Sequence, residues 1–161
     1  MKMCNTEIMK KIKLLEQQKH EVASEETRIC QVTYQTDNDK IDYGYSFADT
    51  RNRISKLNGE VRRLKHLLNY SNATTVVEGF GMTLGECLVY MAQLNNERDI
   101  LERFSYREPS TRRPTANGVI EYTVLNYGKT ECQELLKEVK ETIMRLQIAI
   151  GRTNLTHMIE V

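Results

Sequence analysis

The sequence predicts a mainly α-helical protein with short β elements. Four long helices are expected as two pseudo-symmetric helical hairpins packed into an antiparallel bundle, with β-hairpin or strand segments in the interhelix connections. Three observations predict this. Apolar residues recur at three- and four-residue steps through four long stretches. Only two prolines and eight glycines interrupt 161 residues, which favours long elements. A helical stretch and the tail that follows it recur 82 residues further on.

The first helix is expected over about 4–24. Ile8, Ile12, Leu15 and Val22 line one face, with Lys10, Lys11, Lys13, Glu16 and Gln17 on the other. Residues 28–36 then change character. Ile29, Val32, Thr33 and Tyr34 favour strands, Asp37–Lys40 supplies turn chemistry, and 41–45 alternates, so a short β-hairpin is expected. Ser46 carries the side chain of an N-cap for the second helix. Its seam is Phe47, Ile54, Leu57, Val61, Leu64 and Leu68, at coiled-coil-like heptad steps. The chain is expected to leave this helix at Asn69.

Gly79-Phe80-Gly81 reads as a turn. Thr83 and Glu86 have capping-box spacing, opening a third helix to about Phe104 with a stripe of Leu84, Leu88, Met91, Leu94 and Leu101. Pro109 and Pro114 bracket a loop, because the residue before each is pushed out of the helical region. Residues 119–125 read as a strand. Thr130 and Gln133 repeat the capping-box spacing, and a fourth helix carries Leu135, Val139, Ile143 (or Thr142), Leu146 and Ile150 up to Gly151.

The repeat pairs Ile54, Leu57, Val61, Leu64 and Leu68 with Leu136, Val139, Ile143, Leu146 and Ile150. Beyond the helices, Asn72 meets Asn154, Thr74 meets Thr156, and Glu78 meets Glu160. Asn69 and Gly151 are both residues that enter the left-handed region easily, so one stopping device is expected for both helices. Upstream, Ile41–Tyr43 resembles Ile120–Tyr122 after a three-residue adjustment. The chain is therefore expected to be one domain, 1–161, with an internal pseudo-repeat at about 1–80 and 81–161. Each half alone has one helix seam, which is thin against an ordering entropy of about 1–2 kcal/mol per residue.

Composition narrows function. Lys plus Arg total 23 against 22 acidic residues, so no field of one sign dominates. No run of about 18 apolar residues is present, and the first residues lack an apolar signal segment, so a cytoplasmic location is expected and a membrane partner is not. Cys4, Cys30, Cys87 and Cys132 have no paired short spacing, so no metal site is expected and free thiols suit a reducing compartment. His20, His66 and His157 lie on three separate elements without a neighbouring nucleophile or carboxylate at catalytic spacing. No phosphate-cradling glycine loop, nucleophile elbow or zinc-protease motif occurs. No catalytic residue and no cofactor is expected.

Two basic clusters remain. One is on the second helix, with Arg51, Arg53, Lys56, Arg62, Arg63 and Lys65; the other is the loop carrying Arg103, Arg107, Arg112 and Arg113. Arg62, Arg63, Arg107, Arg112 and Arg113 are the candidate phosphate-contacting residues, with Tyr70, Tyr106, Tyr122 and Tyr127 available to stack on bases. The competing reading pairs the arginine loop with the acidic fourth helix, Glu131, Glu134, Glu138 and Glu141. Asn72-Ala73-Thr74 and Asn154-Leu155-Thr156 match a glycosylation pattern but read as turn chemistry at helix exits.

Several stretches together resemble one family: Leu57-Asn58 with Glu60-Val61-Arg62, Leu68–Thr74, Leu88–Asn95, Ile120–Tyr122 with Asn126-Tyr127, and Leu146-Gln147 with Ala149, Asn154 and Thr156. The combination is similar to the septicolysin-like proteins, a small bacterial family. The resemblance covers most of the chain and implies, through the family's name, a pore-forming cytolysin; it supplies no catalytic residue. The residues themselves favour a non-enzymatic cytoplasmic helical protein that binds a macromolecular partner or itself. RNA or DNA binding through the second helix and the Arg103–Arg113 loop is the first alternative, and membrane lysis the second.

Overall fold

Four long helices carry most of the chain in the computed structural model, which describes residues 1–161: α1 (Asn5–Ile29), α2 (Phe47–Thr74), α3 (Leu84–Ser105) and α4 (Lys129–Thr156). Short strands accompany them: β1 (Lys2–Cys4), β2 (Ser110–Pro114), β3 (Ile120–Val124) and β4 (Met158–Glu160). The chain divides into two compact units, Met1–Thr74 with Asn154–Val161, and Thr75–Thr153. No helix is long and apolar enough to cross a membrane.

In the first unit α1 and α2 run antiparallel. Ile8, Ile12 and Leu15 of α1 pack with Val61 and Leu64 of α2, and Met3, Leu57, Leu68, Ile159 and Val161 close over them. The four α1 positions expected inside, Ile8, Ile12, Leu15 and Val22, are all buried. Lys65 reaches Glu16 across the helices at 2.7 Å, and Arg51 pairs with Glu26. β1 and β4 form an antiparallel pair that joins the two chain ends, with Met3 opposite Ile159. The Val161 N–H donates to the Met1 carbonyl at 2.8 Å. A polar group sits inside this unit. Ser71 Oγ donates to Asn5 Oδ1 at 3.0 Å, and Asn5 Nδ2 donates to Asn154 Oδ1 at 3.1 Å. Burying such groups is tolerable because each finds a partner.

In the second unit α3 and α4 also run antiparallel. Leu84, Cys87, Leu94 and Leu101 of α3 pack with Cys132, Val139, Ile143 and Leu146 of α4, and Val77 completes the core. Thr83 caps α3 as its spacing predicts. Its Oγ1 accepts from the Glu86 N–H at 3.2 Å, and Glu86 accepts from the Thr83 N–H at 2.7 Å. Gly79 and Gly81 both adopt positive φ, +83° and +64°, in the turn before it. Val76 bridges to Thr83 across that turn.

Several expectations are corrected. No strand forms in 28–45. α1 continues to Ile29, and a single 3-10 turn occupies Asp37–Asp39. Thr36 Oγ1 donates to Asp39 at 2.6 Å and the Gly44 N–H donates to Asp42 at 2.8 Å, so side chains serve this segment locally and compete with a ladder. The reverse holds at 110–114: the proline-bracketed loop contains β2, which pairs with β3 from Ser110↔Val124 to Pro114↔Ile120. Pro114 fits because it ends an edge strand, where its missing N–H costs nothing.

Neither long helix stops at Asn69 or Gly151. α2 runs to Thr74 and α4 to Thr156, and no residue other than a few glycines in turns has positive φ. Local stop signals are overridden by packing: the extra turns put Ser71 and Asn154 against Asn5. α4 begins at Lys129, so Thr130 lies within its first turn instead of before it. Three seam residues also face out. Phe47 is 64% exposed, Leu88 46% and Leu135 43%; Cys87 and Leu136 take the inner positions beside the last two.

Candidate interaction surface

The candidate arginines divide between the units. Arg62 and Arg63 lie between the buried Val61 and Leu64 of α2, so both face solvent. Neither makes an ion pair. Arg107, Arg112 and Arg113 belong to the second unit, on the connection between α3 and α4.

That connection is an arm built by sequence. Tyr127 anchors its base: its ring stacks on Phe104 at 5.4 Å, and its hydroxyl donates to the Phe104 carbonyl at 2.7 Å. Arg107 lies over the other aromatic partner, Phe104, at 5.2 Å. The Leu125 N–H donates to the Pro109 carbonyl at 3.1 Å, which starts the ladder. At the tip the Gly118 N–H donates to the Thr115 carbonyl at 3.0 Å, and Gly118 has φ +74°, the left-handed position that closes this kind of hairpin loop.

Register decides which side chains share a face. Arg112 is directly opposite Tyr122, and Arg113 opposite Glu121. Side chains alternate along a strand, so Arg112, Tyr122, Ile120 and Val124 share one face, while Arg113, Thr111, Glu121 and Thr123 share the other. All five β3 residues are exposed, with Tyr122 at 68% and Val124 at 62%. Arg112 and Arg113 make no ion pair with Glu131, Glu134, Glu138 or Glu141, so the pairing of the arginine loop with the acidic helix is not made within the chain.

α4 presents two outward features beside its buried seam. Glu131, Glu134, Glu138 and Glu141 recur at steps of 3, 4 and 3, which stacks them along one flank. Only Glu141 has a basic partner, Lys137 at 4.0 Å. The neighbouring flank is a shallow groove lined by Gln133, Leu136, Lys137, Lys140, Glu141 and Met144. Met144 and Ile148 are 56% and 65% exposed. Sequence reasoning assigned α4 a single apolar seam; the step from Met144 to Ile148 was the available signal for a second apolar line.

The remaining chemistry is distributed. Cys4, Cys87 and Cys132 are buried and Cys30 is exposed, all four as free thiols. Burial, with the Glu86 carboxylate beside it, pushes the Cys87 thiol up, away from the reactive thiolate. The Thr83 N–H and hydroxyl hold the Glu86 carboxyl below its ordinary value, and Lys65 does the same for Glu16. No three His, Cys, Asp or Glu side chains converge as ligands for a metal would. His20 and His66 are exposed and His157 is half-buried. Of the four tyrosines offered for stacking, Tyr70, Tyr106 and Tyr122 are exposed, while Tyr127 is committed to Phe104.

No protein-family model and no curated protein matches the chain. Among solved structures it is similar to a chain described as a functionally unknown conserved protein from Corynebacterium diphtheriae. The TM-score is 0.65 at 14% identity, over 99% of this chain and 100% of that one. At that identity the likeness shows a shared fold: a mainly helical chain with short antiparallel strands, recurring in a second protein over its whole length.

Proposed function

We propose that this chain is a non-enzymatic helical protein whose work is association, with a macromolecular partner or with a second copy of itself. The observation that carries the reading is large apolar side chains turned outward on helices whose inner seam is already filled, and on a strand exposed along its whole length. Val89 is 60% exposed on α3, Met144 and Ile148 are 56% and 65% exposed on α4, and Tyr122 and Val124 are 68% and 62% exposed on β3. Grouped exposed apolar residues mark contact surfaces more often than scattered ones do. Four free thiols suit a reducing cytoplasm. Light scattering of the purified chain tests the reading: a mass at a multiple of 18.8 kDa supports it, and a monomer with turnover abolished by one side-chain change overturns it.

Two finer readings belong with this one. The first is an internal duplication. Ile8, Leu15 and Val22 of α1 correspond in burial to Cys87, Leu94 and Leu101 of α3 at a displacement of 79, and Val61 and Leu64 correspond to Ile143 and Leu146 at 82. The strand pairings follow the same arithmetic. Val76 bridges to Thr83, the N-cap of α3, and Met158 pairs with Cys4, the N-cap of α1. The septicolysin-like resemblance, carried by residues of both halves, fits such a chain and stands as a proposal with it.

The second is nucleic-acid binding, favoured by Arg112 standing directly opposite Tyr122 on an exposed face. It expects affinity for single-stranded RNA that falls steeply with salt and weakens when Arg112 and Arg113 become alanine. Affinity unchanged between low and high salt counts decisively against it.

A further inference from the structure

We infer that the β2–β3 arm docks on the outer flank of α4 in a second copy of this chain, giving a two-fold dimer in which each arm lies on the other's helix. The inference rests on the associative reading above and names its partner.

Three observations carry it. The first is charge. Arg112 is exposed and has no ion pair, and Glu131, Glu134 and Glu138 on α4 are exposed and have none either. One molecule thus displays both halves of a charge pairing that it does not make internally. Complementary surfaces on one chain are what a two-fold interface needs, since each copy offers the same patch to the other. Such pairing fixes register and partner choice.

The second is the arm itself. A lone two-stranded hairpin is marginally stable in water, and its free edges invite pairing. This arm has one apolar face, Ile120, Tyr122 and Val124 around Arg112, and all of it is exposed. The third is the receiving surface. The α4 groove lined by Leu136 and Met144 lies on the flank beside the acidic line, with Glu141 belonging to both. An apolar face with one arginine meets a groove walled by Leu136 and Met144, whose two lysines are already paired within the chain, Lys137 with Glu141 at 4.0 Å and Lys140 with Glu102 at 2.7 Å, so the carboxylates left without a cation are those of the adjoining flank. Glu121 opposes Arg113 on the other face of the arm, so the Arg112 face is the one without an acidic residue in register.

Charge exchange with light scattering tests this directly. The wild-type chain is measured over a concentration series beside Arg112→Glu, the helix variant Glu134→Arg with Glu138→Arg, and their equimolar mixture. All three positions are exposed, and circular dichroism confirms retained helix. Arg112→Gln serves as a milder arm variant should Arg112→Glu lose its fold.

The expected result is a wild-type dimer, dissociation constants raised at least about tenfold in each variant alone, and recovery in the mixture. A monomeric wild-type chain overturns both this inference and self-association. A wild-type dimer left unchanged by Arg112→Glu and Arg112→Gln overturns the arm's role and leaves self-association standing. Two weakened variants whose mixture does not recover overturn the pairing of arm with α4. If Arg112→Glu instead abolishes single-stranded RNA binding and leaves the dimer intact, the arm belongs to nucleic acid and the inference fails.

Discussion

Two of the three connections between helices, α1 to α2 and α3 to α4, solve one problem in opposite ways. Residues 30–46 join α1 to α2 and contain no strand, only a 3-10 turn at Asp37–Asp39. Residues 106–128 join α3 to α4 and contain the β2–β3 hairpin. Both segments carry strand-forming side chains, yet only the second forms a ladder. In the first, Asp42 and Asp39 accept hydrogen bonds from Gly44 N–H and Thr36 Oγ1, which bends the chain locally. In the second, the positive φ of Gly118 at the tip and Tyr127 locked on Phe104 at the base hold two extended strands in register. The lesson is that turn chemistry at both ends, more than β propensity between them, decides whether a short connection becomes a hairpin.

The helices around these connections invite a sharper comparison. Leu64 and Leu146 stand 82 residues apart, each fully buried in the core of its own unit. Truncation to alanine removes the same side chain from a fully buried site in each unit, so each is expected to cost about 2–5 kcal/mol in urea unfolding. Hydrogen exchange then shows which helices lose protection: α1 and α2 for Leu64→Ala, α3 and α4 for Leu146→Ala. Costs that differ by more than about 2 kcal/mol count against the proposed duplication.

A second prediction uses a place where the units differ. Under the proposed duplication, Asn5 stands where the second unit has Leu84, and both are buried. Asn5 bonds Ser71 and Asn154, whereas Leu84 packs in an apolar core. Asn5→Leu takes one hydrogen-bond partner from the Ser71 hydroxyl and one from the Asn154 amide, and is expected to cost about 1–3 kcal/mol. Asn5→Leu with Ser71→Ala and Asn154→Leu removes all three polar groups together and is expected to recover most of that loss. Thermal melts of the two variants measure it, and a triple variant no better than the single one sinks the account.

Much of the fold was legible in the sequence. Apolar periodicity found all four helices, because three- and four-residue steps report a buried face directly. The Thr83–Glu86 capping box was legible for the same reason: two short side chains at fixed spacing act on backbone groups next to them. What was not legible depends on distant partners. The run of α2 past Asn69 needs Asn5, from the other end of the unit, to make a buried Ser71 worthwhile. Pairing of β1 with β4 joins residues at the two ends of the chain. At the candidate surface, the arginines were named from composition, but the register that sets Arg112 opposite Tyr122 was not encoded in any local pattern.

The smallest expected effect separates the two helix starts. α3 is opened by a threonine, whose hydroxyl accepts from the Glu86 N–H, and α1 by Cys4, whose thiol is a weak acceptor. Each is followed at the third position by a glutamate bonded to the cap N–H, at 2.7 Å for Glu86 and 2.8 Å for Glu7. Thr83→Ala is expected to cost about 1 kcal/mol, and Cys4→Ser to leave stability nearly unchanged or raise it slightly, since serine supplies the missing cap. Acid sharpens the comparison. The Thr83 N–H and hydroxyl hold the Glu86 carboxyl below its ordinary value in the folded chain. The folded state therefore binds this proton less readily than the unfolded state. The stabilisation is fully present above the ordinary carboxylate range and is lost as the pH falls through the lowered value. Glu86→Gln is thus expected to lower the melting temperature slightly at neutral pH and to leave it unchanged at the acid end of the series. An equal loss at every pH means that the carboxylate's charge has no part in the cap.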